Sequence, residues 1–377
     1  MGCKIKTNVR RWCALRQPAD GDIGYPSFGL GADRFQRDAA RGFGGHTPRH
    51  QRHGLTQRRR IHIIKQQMRR ACRKAGLATE CLIPQEDDDR ELSASEILRL
   101  APDSVIVQHY ISDGKIAGLE DWQVLPNRPF TVYALDDLLT NFAETNQFRK
   151  IMPANGWARL QYALKRCDRL VVSTDFLAHE CRHLISDIRV VPNRMEQELW
   201  LHLRSKKRVG NKPRIGWAGG TTHQGDLILL KEVIEQTRHE ADWIFFGMCP
   251  KEIRPLVAEY HALGTYAEYP ARLAALSLDI AVAPLAQIPF NQAKSNLRLL
   301  EYGILGIPVV CTDIDPYQNS PACRVANTVE AWTNALRERI YDADAREREG
   351  FELRQWVLQS YLMENYLDEW LAAHLPG

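Results

Sequence analysis

The sequence predicts two facing, doubly wound parallel-sheet α/β domains, and three observations carry that prediction. Short, uniformly apolar runs alternate with helical patterns from about residue 61 onward, the text of strands buried on both faces of a parallel sheet. The alternation comes as two series, separated by the polar stretch 200–213 (WLHLRSKKRVGNKP). The 377 residues are enough for two domains with cores of their own.

In the first series, IHII (61–64) is a short apolar start, 65–75 reads as a helix ending at Gly76, and 79–83 as a short strand. Ser93-Ala94-Ser95-Glu96 has the form of a capping box that opens a helix through Leu100. SVIVQ (104–108) and PFTVYAL (129–135) read as strands, 141–166 as helical with a break around Pro153–Gly156, and RLVVS (169–173) as a strand. A helix over 174–186 and the strand IRVVP (188–192) complete the series. The second series runs RIGWA (214–218), a helix over 226–237, DWIFF (242–246), a short helix over 270–276 and DIAVAP (279–284). A helix over 294–305, the strand PVVCT (308–312) and helices over 330–342 and 346–373 follow, the last interrupted at Gly350. The domain spans are 61–195 and 196–345, with 346–377 crossing back to the first domain.

The net charge of +4 hides a division. Residues 1–60 hold 13 Lys and Arg against 4 Asp and carry 9 of the 24 glycines, whereas the rest of the chain is net −5. The leader lacks apolar periodicity, concentrates no lysine and reads as disordered or as non-native text such as a shifted frame produces. Nucleic acid is therefore not the expected partner. No run approaches about 18 apolar residues, so no membrane-spanning helix is expected, and the N-terminus lacks the apolar core of a secretory signal. The nine cysteines are scattered without C-x-x-C, which fits a reducing cytoplasm and no zinc knuckle.

The chemistry concentrates in Asn291–Thr312, NQAKSNLRLLEYGILGIPVVCT: a polar loop, a helix carrying Glu301, a turn at Gly306 and a buried strand. A helix N-terminus after such a loop offers free backbone N–H groups and the positive end of a dipole. Lys294 and Arg298 add charge for a phosphate, and Glu301, about two turns in, has acceptors for two ribose hydroxyls. In RIGWAGGTTHQGDL (214–227), Gly219-Gly220 permits close backbone approach to a ligand, and Thr221, His223 and Asp226 sit on the loop and helix start. Asp226 also reads as a plain helix cap.

These segments resemble GT-B glycosyltransferases, especially glycosyltransferase family 4. That family carries two glutamates eight positions apart, the second followed by a small residue and a G-x-P-V-V strand. Glu301 matches the second, which the resemblance assigns to the nucleotide ribose; Ala293 stands where the first would touch the donor sugar. KSNLRLLEY (294–302) is similar to a branch of bacterial surface-polysaccharide transferases, which implies Lys294 at the diphosphate with the amides of Ser295, Asn296 and Leu297 lining the loop. The glycine loop of 214–227 and VVPNR (190–194) are similar to the donor domain's first loop and to the interdomain junction of the same branch. On the acceptor side, Tyr133, Asp136 and Asp137 in YALDDL are similar to a Y-x-x-D-D of the same branch, although adjacent Asp residues also cap helices; His109, after SVIVQ, is a cleft candidate by position, although a lone His is more often structural. The resemblance implies a retaining transfer, without metal or cofactor, from a nucleotide-sugar to a glycan or lipid-linked acceptor in O-antigen-type cell-envelope synthesis. Such an enzyme is cytoplasmic, with peripheral contact at the inner face of the membrane.

Three rivals are weighed. A non-catalytic GT-B module binding glycan or protein partners follows from Ala293 and the leader. His179-Glu180-Cys181-Arg182-His183 has the zincin H-E-x-x-H form, but Arg182 puts a cation beside the metal and the helix is short. Asp313-Ile314-Asp315 matches a D-x-D metal motif yet follows a GT-B-type strand, and Asp87-Asp88-Asp89 reads as a solvated turn.

Overall fold

The structure is a computed structural model that describes residues 92–139, 155–206, 210 and 212–376, which fall in one compact unit. The leader, the expected helix over 65–75, the strands at 61–64 and 79–83, the Asp87–Asp89 turn and residues 141–154 lie outside those residues.

The first sheet has four parallel strands in the order β1-β2-β3-β4: β1 (Ser104–Val107), β2 (Phe130–Leu135), β3 (Arg169–Val172) and β4 (Ile188–Val190). Its helices are α1 (Ala94–Leu100), α2 (Asp113–Gln123), α3 (Gly156–Leu164) and α4 (Asp175–Cys181). The capping box forms: Ser93 Oγ accepts the Glu96 amide at 3.3 Å, and Glu96 Oε2 accepts the Ser93 amide at 2.9 Å. Helix α2, which the sequence does not announce, buries only Leu119 and Trp122 from DGKIAGLEDWQ. The short α5 (Gln197–Trp200) leads into the second half.

The second sheet has six parallel strands in the order β10-β9-β8-β5-β6-β7. They are β5 (Arg214–Gly219), β6 (Asp242–Gly247), β7 (Glu259–His261), β8 (Ile280–Ala283), β9 (Val309–Thr312) and β10 (Cys323–Val325). β5 and β8 are fully buried, because each has neighbours on both edges and helices on both faces. The helix expected over 226–237 is two, α6 (Gln224–Ile228) and α7 (Lys231–Thr237). Next come α8 (Tyr269–Ala275), α9 (Pro289–Gln292), α10 (Leu297–Ile304) and α11 (Val329–Tyr341). Two apolar clusters cover the faces, one including Leu299, Leu300 and Leu353, the other Trp217, Trp243 and Trp332.

Helix α12 (Ala343–Ser360) runs straight through Gly350, where an interruption was expected. A Cβ there would lie 2.3 Å from the Gly306 carbonyl, so this glycine permits close packing rather than a break. The break falls instead at 361–366, before α13 (Leu367–His374). That helix is pinned to the first sheet: Ser104 Oγ donates to the His374 carbonyl at 2.7 Å, and Arg169 Nη1 donates to the carbonyls of Ala372 at 2.9 Å and Leu375 at 2.8 Å. The two strands of chain passing between the halves are themselves paired, Met195 N to Tyr361 O at 2.7 Å and Met363 N to Met195 O at 3.0 Å. Among the described residues no helix is long and apolar enough to cross a membrane.

Candidate functional site

Sheet order locates the site. From β5 the chain winds outward to β6 and β7; from β8 it winds the other way to β9 and β10. The loops leaving β5 and β8 therefore part, and the crevice at their carboxyl ends is where open α/β sheets bind ligands.

The β5 loop is Gly219-Gly220 followed by the turn Thr221–His223. Gly219 O accepts the Met248 amide at 2.9 Å. The strand ends are so close that a Cβ on Gly247, whose φ is +102°, would lie 2.2 Å from Gly219 O. A Cβ on Gly219 would lie 2.9 Å from Arg298 Nη2. Thr221 is exposed at the mouth of the loop.

Behind the loop lies a buried relay. Asp226 Oδ2 is 2.9 Å from His223 Nδ1, while Oδ1 accepts the Ala286 amide at 2.9 Å and Asn291 Nδ2 at 2.7 Å. Burial pushes the Asp226 carboxyl up, but the His223 bond, the Ala286 amide and the charge of Lys294 outweigh it and hold the carboxyl below its usual range. Burial and then the charge of Lys294 lower the His223 pKa to about 4, against the pull of Asp226. At neutral pH the pair is thus a carboxylate and a neutral imidazole donating from Nδ1. Asp226 is not the helix cap the sequence also allowed: it lies inside α6, whose N-cap residue is His223 and makes no side-chain capping bond, and it joins the β5 and β8 loops.

Helix α10 starts at Leu297, three residues later than expected, leaving Lys294, Ser295 and Asn296 in the loop. Ser295 Oγ accepts Asn193 Nδ2 at 2.7 Å, which ties the loop to the VVPNR junction. Asn296 holds the N-cap position without a side-chain capping bond. Lys294 Nζ lies 4.6 Å over the Phe290 ring and, among the described residues, has no carboxylate partner. Arg298 Nη1 donates to Glu301 Oε2 at 2.6 Å and to the Tyr269 hydroxyl at 3.0 Å; Tyr269 in turn donates to Glu301 Oε2 at 2.9 Å. Burial works against the Arg298 charge, but Glu301 outweighs it and raises the pKa. Glu301 itself is 2% exposed. One turn on, the Tyr302 hydroxyl accepts the Ala218 amide at 2.8 Å and fixes α10 against β5.

Ala293 is fully buried, and with Phe290 it joins the apolar cluster of the four-stranded half. Its carbonyl accepts Thr174 Oγ1 at 3.1 Å. The Lys294 loop is thereby seated against the first half by its neighbour in sequence.

The acceptor-side expectations fare differently. Tyr133 is a core residue: it is fully buried and its hydroxyl accepts the Tyr110 amide at 3.1 Å, so ring and hydroxyl are both committed to the interior. His109 follows β1 with φ +53°, and the Asp136 carbonyl accepts Ser173 Oγ at 3.3 Å. His109, Asp136 and Asp137 are partly exposed at the ends of β1 and β2. The H-E-x-x-H text does not form a zinc-binding helix: α4 ends at Cys181, leaving His179 and His183 exposed and His183 beyond the helix. Asp313 pairs with Arg324 at 3.4 Å, and Asp315 starts a separate turn. Among the described residues no three of His, Cys, Asp and Glu gather as metal ligands. Sequence reasoning missed Tyr269, which lies 32 residues from Glu301 and in no motif, and gave no role to Asn291, which opens the 291–312 segment but serves a carboxylate 65 residues away.

No family model and no curated protein matches this chain. Solved structures do. TarM matches with a TM-score of 0.55 at 13% identity, over 74% of this chain and 57% of its own. Sucrose-phosphate synthase from Thermosynechococcus elongatus matches with 0.55 at 14%, over 73% of this chain and 74% of its own. Anabaena HepE, solved with UDP and glucose, matches with 0.54 at 13%, over 74% of this chain and 81% of its own. The chain thus spans little more than half of TarM and about three-quarters or more of the other two. Two parallel-sheet α/β halves, of four and six described strands, give this chain the GT-B fold.

Proposed function

We propose that the protein transfers a sugar from a nucleoside-diphosphate donor to a glycan or lipid-linked acceptor. In this reading it is a retaining enzyme of the family 4 type in surface-polysaccharide synthesis, working without metal or cofactor at the cytoplasmic face of the membrane. One observation carries it: Gly219-Gly220, Lys294, which among the described residues forms no ion pair with a carboxylate, and the start of α10 follow the carboxyl ends of β5 and β8, where the strand order reverses. The likeness to HepE, solved with UDP and glucose, supports it.

Departure of the nucleotide develops negative charge on the diphosphate, and donors already aimed at that charge lower the barrier. Lys294, the amides of Ser295, Asn296 and Leu297, and the Gly219-Gly220 backbone supply them. Arg298 reaches the crevice from beneath the glycine loop and, bonded to Glu301 Oε2, holds that carboxylate in place for the ribose. His109, Asp136 and Asp137 face the acceptor. Closure of the halves on the hinge at Met195 and Leu362 excludes water, with which hydrolysis competes. Calorimetry with UDP and GDP, followed by transfer assays with their sugars, tests the reading; failure of both nucleotides to bind refutes it.

Ala293 favours one second reading. In place of the family's sugar-contacting glutamate stands a fully buried alanine, which fits a nucleotide-binding module without turnover. Nucleotide binding with neither transfer nor donor hydrolysis selects it.

A further inference from the structure

We infer that His223 takes up a proton when a nucleoside diphosphate enters the crevice, so that donor binding is proton-linked through the Asp226–His223 pair. The inference rests on the diphosphate reading of this site.

The pair is built for one proton at one atom. Asp226 is 5% exposed and has both oxygens engaged, by Nδ1 of His223 on one side and by the Ala286 amide and Asn291 on the other. The imidazole therefore holds its proton on Nδ1. Among the described residues Nε2 has no hydrogen-bond partner, and the side chain keeps 17% of its surface exposed. The turn carrying it follows directly on Gly219-Gly220. Three charged groups bear on the ring: Asp226 from its own helix, and Lys294 and Arg298 from the loop and start of α10. The edge of Trp217, on β5, packs against it at 5.9 Å.

Without ligand, burial first and then the charges of Lys294 and Arg298 keep the imidazole neutral. A diphosphate brings at least two negative charges to the same cations and reverses the field at the ring. A proton then moves from solvent to Nε2, Asp226 stabilises the imidazolium through Nδ1–H, and the new N–H can donate to a phosphate oxygen. No bond of the nucleotide breaks in this step.

The sign follows from linkage. A group whose pKa is higher in the complex than in the free protein strengthens binding as pH falls through the window between the two values. The window opens upward from about 4, the value in the free protein.

UDP-glucose and GDP-mannose are the probes, because their diphosphate diesters do not titrate near neutral pH. Calorimetry at about pH 6 in buffers of differing ionisation enthalpy should show uptake approaching one proton per nucleotide-sugar. Affinity should rise by up to about tenfold per pH unit of acidification within the window. His223→Gln should abolish both effects and bind at all pH values with the weaker affinity the parent shows above the window, and Asp226→Asn should reduce them. On the unmodified protein, the NMR titration midpoint of the His223 ring should rise on saturation with the binding probe. An unchanged midpoint, or equal proton uptake in His223→Gln, overturns the inference. If binding is present and falls on Lys294→Ala, that outcome leaves the site reading intact; if neither probe binds, both are overturned.

Discussion

The two halves are built from the same materials to different ends. Each is a parallel sheet with buried strands, and each holds one buried, neutral histidine. In the six-stranded half the strand order reverses between β5 and β8, and the opened crevice is backed by polar side chains of the β5 loop, the β8 loop and α10. Among the described strands of the four-stranded half the order runs straight from β1 to β4, and Tyr133, within β2, belongs to the core. Its histidine, His374, stacks on Trp370 at 4.1 Å and bonds the Trp370 carbonyl from Nδ1 at 2.7 Å, which serves to dock α13. His223 instead bonds a carboxylate, that of Asp226, and feels the charges of Lys294 and Arg298. Burial alone therefore does not mark a functional histidine; the group its bonded nitrogen meets does, a carbonyl of its own helix for His374 and a carboxylate at the crevice for His223.

That contrast can be broken at several points. The largest effect is expected for Glu301→Ala, which leaves Arg298 buried without its anion. A loss of about 3–5 kcal/mol in denaturant stability is expected, with nucleotide binding weakened as well. Unchanged affinity in a folded Glu301→Ala protein would remove the carboxylate from the site. In the other half, Arg169→Ala breaks the Asp187 pair and the bonds to the Ala372 and Leu375 carbonyls. It should cost about 3 kcal/mol and expose the amides of α13 to hydrogen exchange, with nucleotide affinity preserved.

Acid tests both histidines together. Burial holds His374 and His223 near 4 in the folded chain, against 6.5 as the ordinary value. The unfolded chain then binds more protons between those values, so the contribution is complete above about 6.5 and is lost as pH falls towards 4. Each histidine accounts for up to about 3 kcal/mol of that loss. His374→Gln should flatten its share of the pH dependence of stability, and a profile unchanged from the parent would contradict the burial argument. The smallest effect on the fold is expected for Lys294→Ala: an unchanged denaturation midpoint but about tenfold weaker nucleotide binding, the order of one hydrogen bond to a charged group.

The fold was legible where burial on both faces left no choice of residue. SVIV, FTVYAL, RLVV, RIGWAG and VVCT are apolar because their environment is, and each forms its strand. β7 and β10 passed unnoticed because edge strands of three residues carry partly exposed side chains, and Glu259 and Arg324 read as loop. Helix α2 was missed for a related reason, since a helix burying two side chains leaves little periodicity. Gly350 misled because a glycine in a helix reads as a break, while here a neighbouring backbone requires it. At the candidate site the glycine loop, Lys294 and Glu301 stood out as local text. The Asp226–Asn291 and Tyr269–Glu301 bonds did not, because contacts between distant segments leave no pattern in a single sequence.

The central claim is that the six-stranded half holds a nucleoside diphosphate against Lys294 and the glycine loop. Calorimetric titration of UDP and GDP into the parent protein and Lys294→Ala tests it most directly. The account predicts binding of at least one nucleotide, weakened about tenfold by the substitution. Equal affinity in the two proteins, or binding of neither nucleotide, would contradict it.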